Sequence, residues 1–215
     1  LQTIMRGNAE EVSQLVSAAM QGYVPALAAR PAHDPDRARA LLTEAGYPDG
    51  FEMTLDATND RYVNDAQIAQ ALESLLAKID IDLNLNIMPK SNFWGYIRVP
   101  TENSSFIMSG WDVPSGDAGS MYASLFYTRD KKDGYGQVNR GSYSNPEVDD
   151  LIDQADATPS VQERDRLLQD ATRILMSDIP MIPMHYEQDI YGVRDGVMLE
   201  PRVDKFIWAY DMDVE

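Results

Sequence analysis

Apolar and polar residues alternate strictly over two stretches of the chain, residues 51–58 (FEMTLDAT) and 81–88 (IDLNLNIM). This period of two predicts strands with one buried face. A shorter apolar run, FIMSGW at 106–111, is more typical of a central strand, which is covered on both faces. Two later segments, 181–194 and 205–210, have the composition of strands interrupted by proline.

Between these stretches the apolar residues recur at helical spacing, and capping residues mark where helices begin. The pattern predicts five helices, which start near Asn8, Asp34, Asn64, Asn145 and Ser160. The first three end near Gly22, Gly46 and Ile79. The succession of helices and strands predicts an α/β fold with a mixed sheet flanked by helices.

Composition adds limits on the class of protein. The chain has 215 residues, of which 44% are hydrophobic and 25% charged, and its formal net charge is −17. Such a chain can bury a core in one or two domains, and disorder is not expected. The acidic balance makes nucleic acid and anionic membrane surfaces poor partners. No apolar run approaches the roughly 20 residues of a membrane span.

Recognisable catalytic chemistry is missing from the sequence. There is no cysteine, which excludes disulfides, thiol catalysis and cysteine-based metal sites without fixing the compartment. The hydrolase, nucleotide-binding and zinc-protease motifs are absent. His33 precedes a predicted helix cap and is expected to be solvated, and His185 is expected to be a satisfied structural histidine. We therefore predict no catalytic residue, no metal site and no cofactor.

Acidic pairs are frequent, and they raise the question of a carboxylate-dependent hydrolase. The pairs Asp149/Asp150, Asp153/Asp156 and Asp211/Asp213 lie on predicted helix faces or near the chain end. A glycosidase needs two carboxylates facing each other across a cleft, so solvated helix faces are the expected role. The segment 128–143, rich in Gly, Asp and Lys, predicts a long loop that is functional or mobile.

Trp111 stands where the run FIMSGW ends, next to Gly110. Ligands of α/β sheets gather beyond the carboxyl ends of the strands. Gly110 allows other backbone to approach closely, and an indole offers a flat apolar face with one N–H donor. Two roles for Trp111 stay open at this point: a ligand contact or a core aromatic.

Several segments, taken in order, closely resemble the C-terminal part of the family 5 extracellular solute-binding proteins, the dipeptide-, oligopeptide- and nickel-binding receptors of bacterial ABC importers. They are ARALLTEAGYPDGFEMTL (38–55), RYVNDAQIAQALESLLAKIDI (61–81), GW…SGDA (110–118), NRGSYSNPEVDDLIDQA (139–155) and IPMIPMHY (179–186). The likeness covers nearly the whole chain. EAGYPDGF and YSNPEVD at this separation are its most specific parts.

The resemblance implies a type II-like lobe of a periplasmic binding protein. Residues 1–215 would form most of the C-terminal lobe, without the N-terminal lobe, and the tail 187–215 would return toward the hinge. The implied protein is a monomeric receptor, periplasmic or tethered outside the membrane. It would deliver a peptide, opine, sugar conjugate or metal chelate to a membrane permease.

The resemblance also implies a set of ligand-binding residues. Trp111 matches the cleft tryptophan of the family, with Gly110 before it. Where peptide-binding members carry an Asp that pairs with the ligand ammonium, this chain has Pro114. Asp117 then either replaces that charge or shapes a turn.

The loop before the third predicted helix also faces the cleft in the family, so Arg61, Tyr62 and Asn64 become candidates. Arg61 suits a carboxylate or phosphate, because its fork can bind two oxygens at once. A surface salt bridge is the alternative role for Arg61. A carboxylate-dependent hydrolase and a peptide-holding chaperone module remain the rival functions.

Overall fold

The computed structural model describes residues 2–98, 104, 106–202 and 205–214. The helices are α1 (Gln2–Met5), α2 (Pro35–Glu44), α3 (Asp65–Leu76), α4 (Lys90–Tyr96), α5 (Gly119–Leu125), α6 (Pro146–Ala157) and α7 (Val161–Asp178). The strands are β1 (Ala9–Glu11), β2 (Phe51–Thr58), β3 (Ile81–Met88), β4 (Phe106–Ile107), β5 (His185–Glu187), β6 (Val197–Leu199) and β7 (Met212–Val214). The predicted α/β class is confirmed.

The main sheet is parallel and has the order β3-β2-β4. β2 and β3 run side by side over their full length, from Phe51 opposite Ile81 to Thr58 opposite Met88, as the alternating pattern predicts. β4 is not a central strand within the described part of the chain, because it pairs only with β2, which lies in the middle. Antiparallel pairing occurs in two separate two-stranded sheets, β1-β5 and β6-β7.

Four of the five predicted helices are present, and three of them begin at the predicted capping side chain. The side chains of Asp34, Asn145 and Ser160 accept hydrogen bonds from the backbone N–H groups at the starts of α2, α6 and α7. Asn64 precedes α3 in a left-handed conformation and does not cap it with its side chain. α3 continues through a short 3-10 turn to Ile79, near the predicted end.

The predicted helix between Asn8 and Gly22 is wrong. Residues 9–11 form β1, which pairs with β5 far along the chain, and no α-helix follows before Pro35. Gln14 anchors this segment in an irregular path of bends and turns, because its side-chain amide exchanges two hydrogen bonds with the backbone of Val24. Long-range pairing therefore overrides a local pattern that also suits a helix.

The late strands were only partly located by the sequence. β5 lies inside the predicted segment 181–194, as expected. Residues 205–210 are not a strand: they run irregularly into a 3-10 turn, Ala209–Asp211. The strands of this region, β6 and β7, flank that segment and pair with each other.

Two hydrophobic clusters form the core. One lies under the main sheet, where Leu55 and Leu83 pack against Ile68 of α3. The other joins α5, α6 and α7, with Tyr122, Ile152 and Leu168 fully buried. The sequence pattern did not predict α4 or α5, which are each seven residues long. Among the described residues, the helices include none whose length and apolarity would let it cross a membrane.

The loop 128–143 is held on α6 by the acidic residues that were expected to be solvated. The buried carboxylate of Asp149 accepts hydrogen bonds from the Thr128 backbone N–H at 2.8 Å and from Lys131 Nζ at 3.1 Å. Asp153 accepts from Tyr127 and Lys132 at 3.0 and 2.6 Å. The solvated-face prediction is therefore wrong for Asp149, which the loop covers, whereas the Asp153 side chain remains 40% exposed.

Candidate functional site

The carboxyl ends of β2, β3 and β4 meet at one edge of the main sheet, since the three strands are parallel. The chain leaves this edge through residues 59–64 after β2, through α4 after β3 and through residues 108–111 after β4. We call these three segments the sheet edge. Parallel sheets gather their ligands at this position.

A buried carboxylate organises the turn after β2. Asp65 accepts hydrogen bonds from the Thr58 hydroxyl at 2.7 Å and from the backbone N–H groups of Arg61 and Tyr62 at 3.1 and 3.2 Å. Burial alone would raise the pKa of the Asp65 carboxyl, but these hydrogen bonds outweigh burial and hold the pKa below its usual value. The ionised carboxylate thereby fixes the backbone that carries Arg61 and Tyr62.

Gly110 and Tyr62 fit against each other across the sheet edge. The Tyr62 hydroxyl donates a hydrogen bond to the Gly110 carbonyl at 3.3 Å and lies 3.4 Å from the Ser109 hydroxyl. A Cβ at Gly110 would stand 2.8 Å from Tyr62 Cε1, which is too close for two carbon atoms. Glycine is needed here because an aromatic ring, rather than backbone, approaches this position.

The Arg61 side chain is exposed and lies beside the Tyr62 ring, with its guanidinium carbon 4.8 Å from the ring centroid. Such a contact orients a cation over a π face without neutralising its charge. Within the described ranges no carboxylate forms an ion pair with Arg61, so the predicted alternative of a surface salt bridge is not seen there.

Trp111 is 44% exposed, and it follows directly on Gly110 at the sheet edge. A core aromatic would be closed off from solvent, so that alternative is wrong. Its neighbour Asp112 forms an ion pair with Lys205 at 2.8 Å, and Lys205 also lies 3.6 Å from Asp189. The C-terminal tail therefore passes close to Trp111.

Asp117 is bound to Arg164 of α7 by two hydrogen bonds, at 2.6 and 2.9 Å, and accepts a third from the Gly119 N–H at 2.7 Å. Burial would raise the pKa of its carboxyl, but Arg164 and the Gly119 N–H hold the pKa below its usual value. These partners are those of a turn-shaping carboxylate at the start of α5. A role of Asp117 in ligand binding stays a prediction.

Asn64 is likewise engaged inside the protein. Its amide donates a hydrogen bond to the Ile4 carbonyl at 2.8 Å, and its backbone is left-handed, with φ of 56°. Asparagine tolerates this conformation better than most residues. The contact ties the segment before α3 to α1, and a direct ligand contact stays a prediction.

The sequence pattern missed two residues beside the sheet edge, Trp94 and Arg140. Trp94 lies on α4, is 39% exposed and packs edge-on against Phe93. Arg140 reaches from the loop 128–143 and donates a hydrogen bond to the Ile97 carbonyl at 3.1 Å. The run FWGY just after a strand would have indicated the tryptophan, but no local signal marks the arginine.

The remaining sequence candidates lie elsewhere. His33 is exposed, as expected. His185 is half-buried in β5 and is not fully satisfied, because its Nδ1 atom is buried without a hydrogen-bond partner. Burial lowers the pKa of His185, partly offset by Glu187. Across the part of the chain that the structure describes, no group of three acidic or histidine side chains is placed to hold a metal ion.

Two surface depressions do not coincide with the sheet edge. One, of about 350 Å³, is lined by residues of the loop 129–137. The other, of about 300 Å³, is lined mainly by residues 10–28 and by Tyr186. Neither includes Trp111 or Arg61.

The sequence is similar to a known protein family and to individual members of it. The family described as bacterial extracellular solute-binding proteins, family 5 Middle, matches residues 1–133. The glutathione-binding protein GsiB of Salmonella typhi is 30% identical over 159 residues, which are 73% of this chain and 30% of that protein. The nickel-binding protein NikA of Staphylococcus aureus is 28% identical over 163 residues, or 75% of this chain and 32% of that protein. The chain thus spans about a third of these relatives.

Solved structures show the same fold along the whole chain. The periplasmic binding protein DppA of Helicobacter pylori, in complex with the peptide STSA, superposes with a TM-score of 0.83. It is 20% identical, and the superposition covers 100% of this chain and 41% of that one. HbpA2 of Haemophilus parasuis gives a TM-score of 0.81 at 21% identity, over 100% of this chain and 42% of that one.

The family and the relatives' names denote extracytoplasmic solute-binding proteins and not enzymes, so the hydrolase alternative is not favoured. The fold supports this assignment, because it is that of the periplasmic binding proteins over the whole chain. The chain belongs to the family 5 bacterial extracellular solute-binding proteins.

Proposed function

We propose that this chain is the ligand-binding C-terminal lobe of a two-lobed receptor that delivers a small polar, peptide-like solute to the permease of an ABC importer. The observation that carries the proposal is the sheet edge. There Trp111 and Arg61 are both exposed, Arg61 lies on the Tyr62 ring, and Asp65 fixes the backbone that carries Arg61 and Tyr62. Rigid supports beneath exposed aromatic and cationic groups suit a binding surface.

Each residue has a physical role in this proposal. The indole of Trp111 packs against the ligand, and Arg61 pairs with an anionic group of it. Tyr62 and Asn64 provide hydrogen bonds, and Gly110 keeps the Tyr62 ring in place. Asp117 supports the loop that follows Trp111, through its ion pair with Arg164.

Binding then requires a second lobe that closes over the sheet edge. Affinity depends on how often the closed form is populated. The ion pairs of Lys205 with Asp112 and Asp189 agree with a tail, residues 187–215, that returns toward the hinge. We expect the 215-residue chain alone to bind ligand more weakly than the two-lobed receptor, because half of the cleft is supplied by the other lobe.

Relatives with known ligands suggest which probes to use. By their names they bind glutathione, nickel, the peptide STSA, agropinic acid or Ni(L-His)2. Pro114 replaces the acidic residue of the peptide-binding members, so recognition of a free peptide ammonium is not expected. The receptor is expected to work as a monomer outside the cytoplasm, in the periplasm or tethered to the membrane.

The proposal is tested by isothermal titration of the two-lobed receptor with five probes: glutathione, the STSA peptide, Ni(L-His)2, agropinic acid and Met-Leu. Native mass spectrometry of receptor purified from its own host would look for a retained small molecule. We expect one ligand to bind and Trp111→Ala to weaken it about tenfold or more, a loss of at least ~1.4 kcal/mol. The matched control is Tyr47→Ala, an exposed aromatic residue beside Phe51 at the opposite, amino end of β2, which should leave affinity within about twofold.

Failure to bind any probe, together with no retained molecule, would refute a solute receptor. Broad binding of extended apolar peptides that is insensitive to Trp111→Ala would instead support the chaperone alternative.

A further inference from the structure

Arg140 brings a second positive charge to the sheet edge. Its Nε donates to the Ile97 carbonyl at 3.1 Å, just after α4, and its guanidinium carbon lies 5.8 Å from the Trp94 ring centroid. The side chain is half-buried. A backbone carbonyl and an aromatic face hold the guanidinium in place, and neither of them neutralises its charge.

Within the described ranges no carboxylate forms an ion pair with Arg140, although acidic residues outnumber basic ones by 35 to 18. The half-buried arginine Arg164, by contrast, pairs with both Asp117 and Asp156. Burial lowers the pKa of Arg140, and the nearby Tyr62 phenol partly offsets this. A partly desolvated cation without a counter-charge is unfavourable, so the site favours an anion.

The two arginines approach the sheet edge from different segments. Arg61 lies on the ring of Tyr62 in the turn after β2, and Arg140 lies beside Trp94 of α4. The turn is joined to the start of α4, where the Lys90 backbone N–H donates a hydrogen bond to the Asp60 carboxylate at 2.6 Å. One carboxylate satisfies one guanidinium fork through two parallel hydrogen bonds. Two separate forks therefore suit two anionic groups rather than one.

We propose that Arg61 and Arg140 bind two anionic groups of the same ligand, which makes the preferred solute of this receptor a molecule with two carboxylates, such as a peptide with a second carboxylate. The inference rests on the proposed function and narrows it to a ligand class. Trp94 and Trp111 flank this arrangement as exposed apolar surfaces for the uncharged part of the ligand.

The test compares glutathione, which has two carboxylates, with glutathione whose glycine carboxylate is converted to the amide. Both are titrated calorimetrically into the two-lobed receptor and its Arg61→Gln, Arg140→Gln and Arg173→Gln variants. Arg173 lies exposed on α7, paired with Asp170, and serves as the matched control. Wild type should prefer glutathione over the amide by about tenfold or more.

One of the two variants, Arg61→Gln or Arg140→Gln, should reduce this preference to about twofold or less by weakening glutathione alone, the other should weaken both probes, and Arg173→Gln should leave both affinities unchanged. If neither Arg61→Gln nor Arg140→Gln reduces the preference, the two arginines do not bind two carboxylates of one ligand, and the assignment is wrong. Equal affinity of wild type for the two probes overturns the assignment as well, while the receptor proposal stands. If neither probe binds but another solute with a single anionic group does, the assignment to two carboxylates is also wrong, while the receptor proposal stands.

Discussion

The helical side of the molecule, formed by α5, α6, α7 and residues 128–139, differs from the sheet edge, which the Arg140 side chain reaches, in the partners of its cations. On the helical side the cations have carboxylate partners: half-buried Arg164 pairs with Asp117, and exposed Lys131 pairs with the buried Asp149. At the sheet edge Arg61 and Arg140 contact aromatic rings instead. Paired charges fix structure, whereas unpaired charges on a rigid support remain available to a ligand.

The two regions also differ in packing. On the helical side large side chains are fully buried, and the Tyr122 hydroxyl lies 2.6 Å from the Thr172 hydroxyl inside the core. Burial raises the pKa of Tyr122 further above the physiological range. At the sheet edge the aromatic residues Trp94 and Trp111 remain exposed. Mutations should therefore affect stability on one side and binding on the other.

The largest stability effect is expected from the core of the helical side. Leu168→Ala removes a fully buried side chain and should lower the free energy of unfolding by about 3 kcal/mol. The matched control is Leu41→Ala on α2, where the side chain is 47% exposed and the loss should stay below about 1 kcal/mol. Urea unfolding followed by circular dichroism measures both. Similar losses for the two variants would show that the helical core does not dominate stability.

The second-largest loss of stability is expected when an ion pair of the helical side is broken. Asp117→Asn breaks the ion pair with Arg164 and should cost about 2 kcal/mol at pH 7, less than a fully buried pair would lose. The folded-state pKa of Asp117 lies below its ordinary value of about 4, so its contribution is present above pH 4 and is lost as the pH falls through the folded pKa. The difference between wild type and variant should therefore shrink in acid.

Urea unfolding at pH 7 and at pH 3 measures this difference. Asp150→Asn, on the exposed side of α6, is the control and should be near neutral at both pH values. A loss of stability that does not change with pH would show that the Asp117 carboxylate does not act through its charge.

Only some of the secondary structure on the two sides could be predicted from the sequence. The strands β2 and β3 and the helices α2, α3, α6 and α7 follow local patterns, because their alternation and capping are written in neighbouring residues. The first predicted helix failed where Gln14 bonds Val24 and β1 pairs with β5, a contact between distant parts of the chain.

The same difference between local patterns and long-range contacts decides which residues of the candidate site could be predicted. Trp111 and Arg61 could be proposed from resemblance and from their place after strands. Arg140 could not, because its approach to Trp94 depends on the path of the whole loop 128–143. Whether a charge is paired is likewise invisible in the sequence: Asp149 looks solvated in the pattern of α6 but is buried under that loop.

The smallest stability effect is expected at the sheet edge. Arg61→Gln removes an exposed guanidinium that forms no ion pair with the described residues, so the free energy of unfolding should change by less than about 0.5 kcal/mol.

Asp65→Asn, four residues away, is the matched contrast. It weakens the carboxylate that accepts hydrogen bonds from Thr58 and two backbone N–H groups, and should cost about 2 kcal/mol. Thermal and urea unfolding of the two variants would measure the difference. A loss above 1 kcal/mol for Arg61→Gln would place this arginine among the structural charges and remove the contrast between the sheet edge and the helical side.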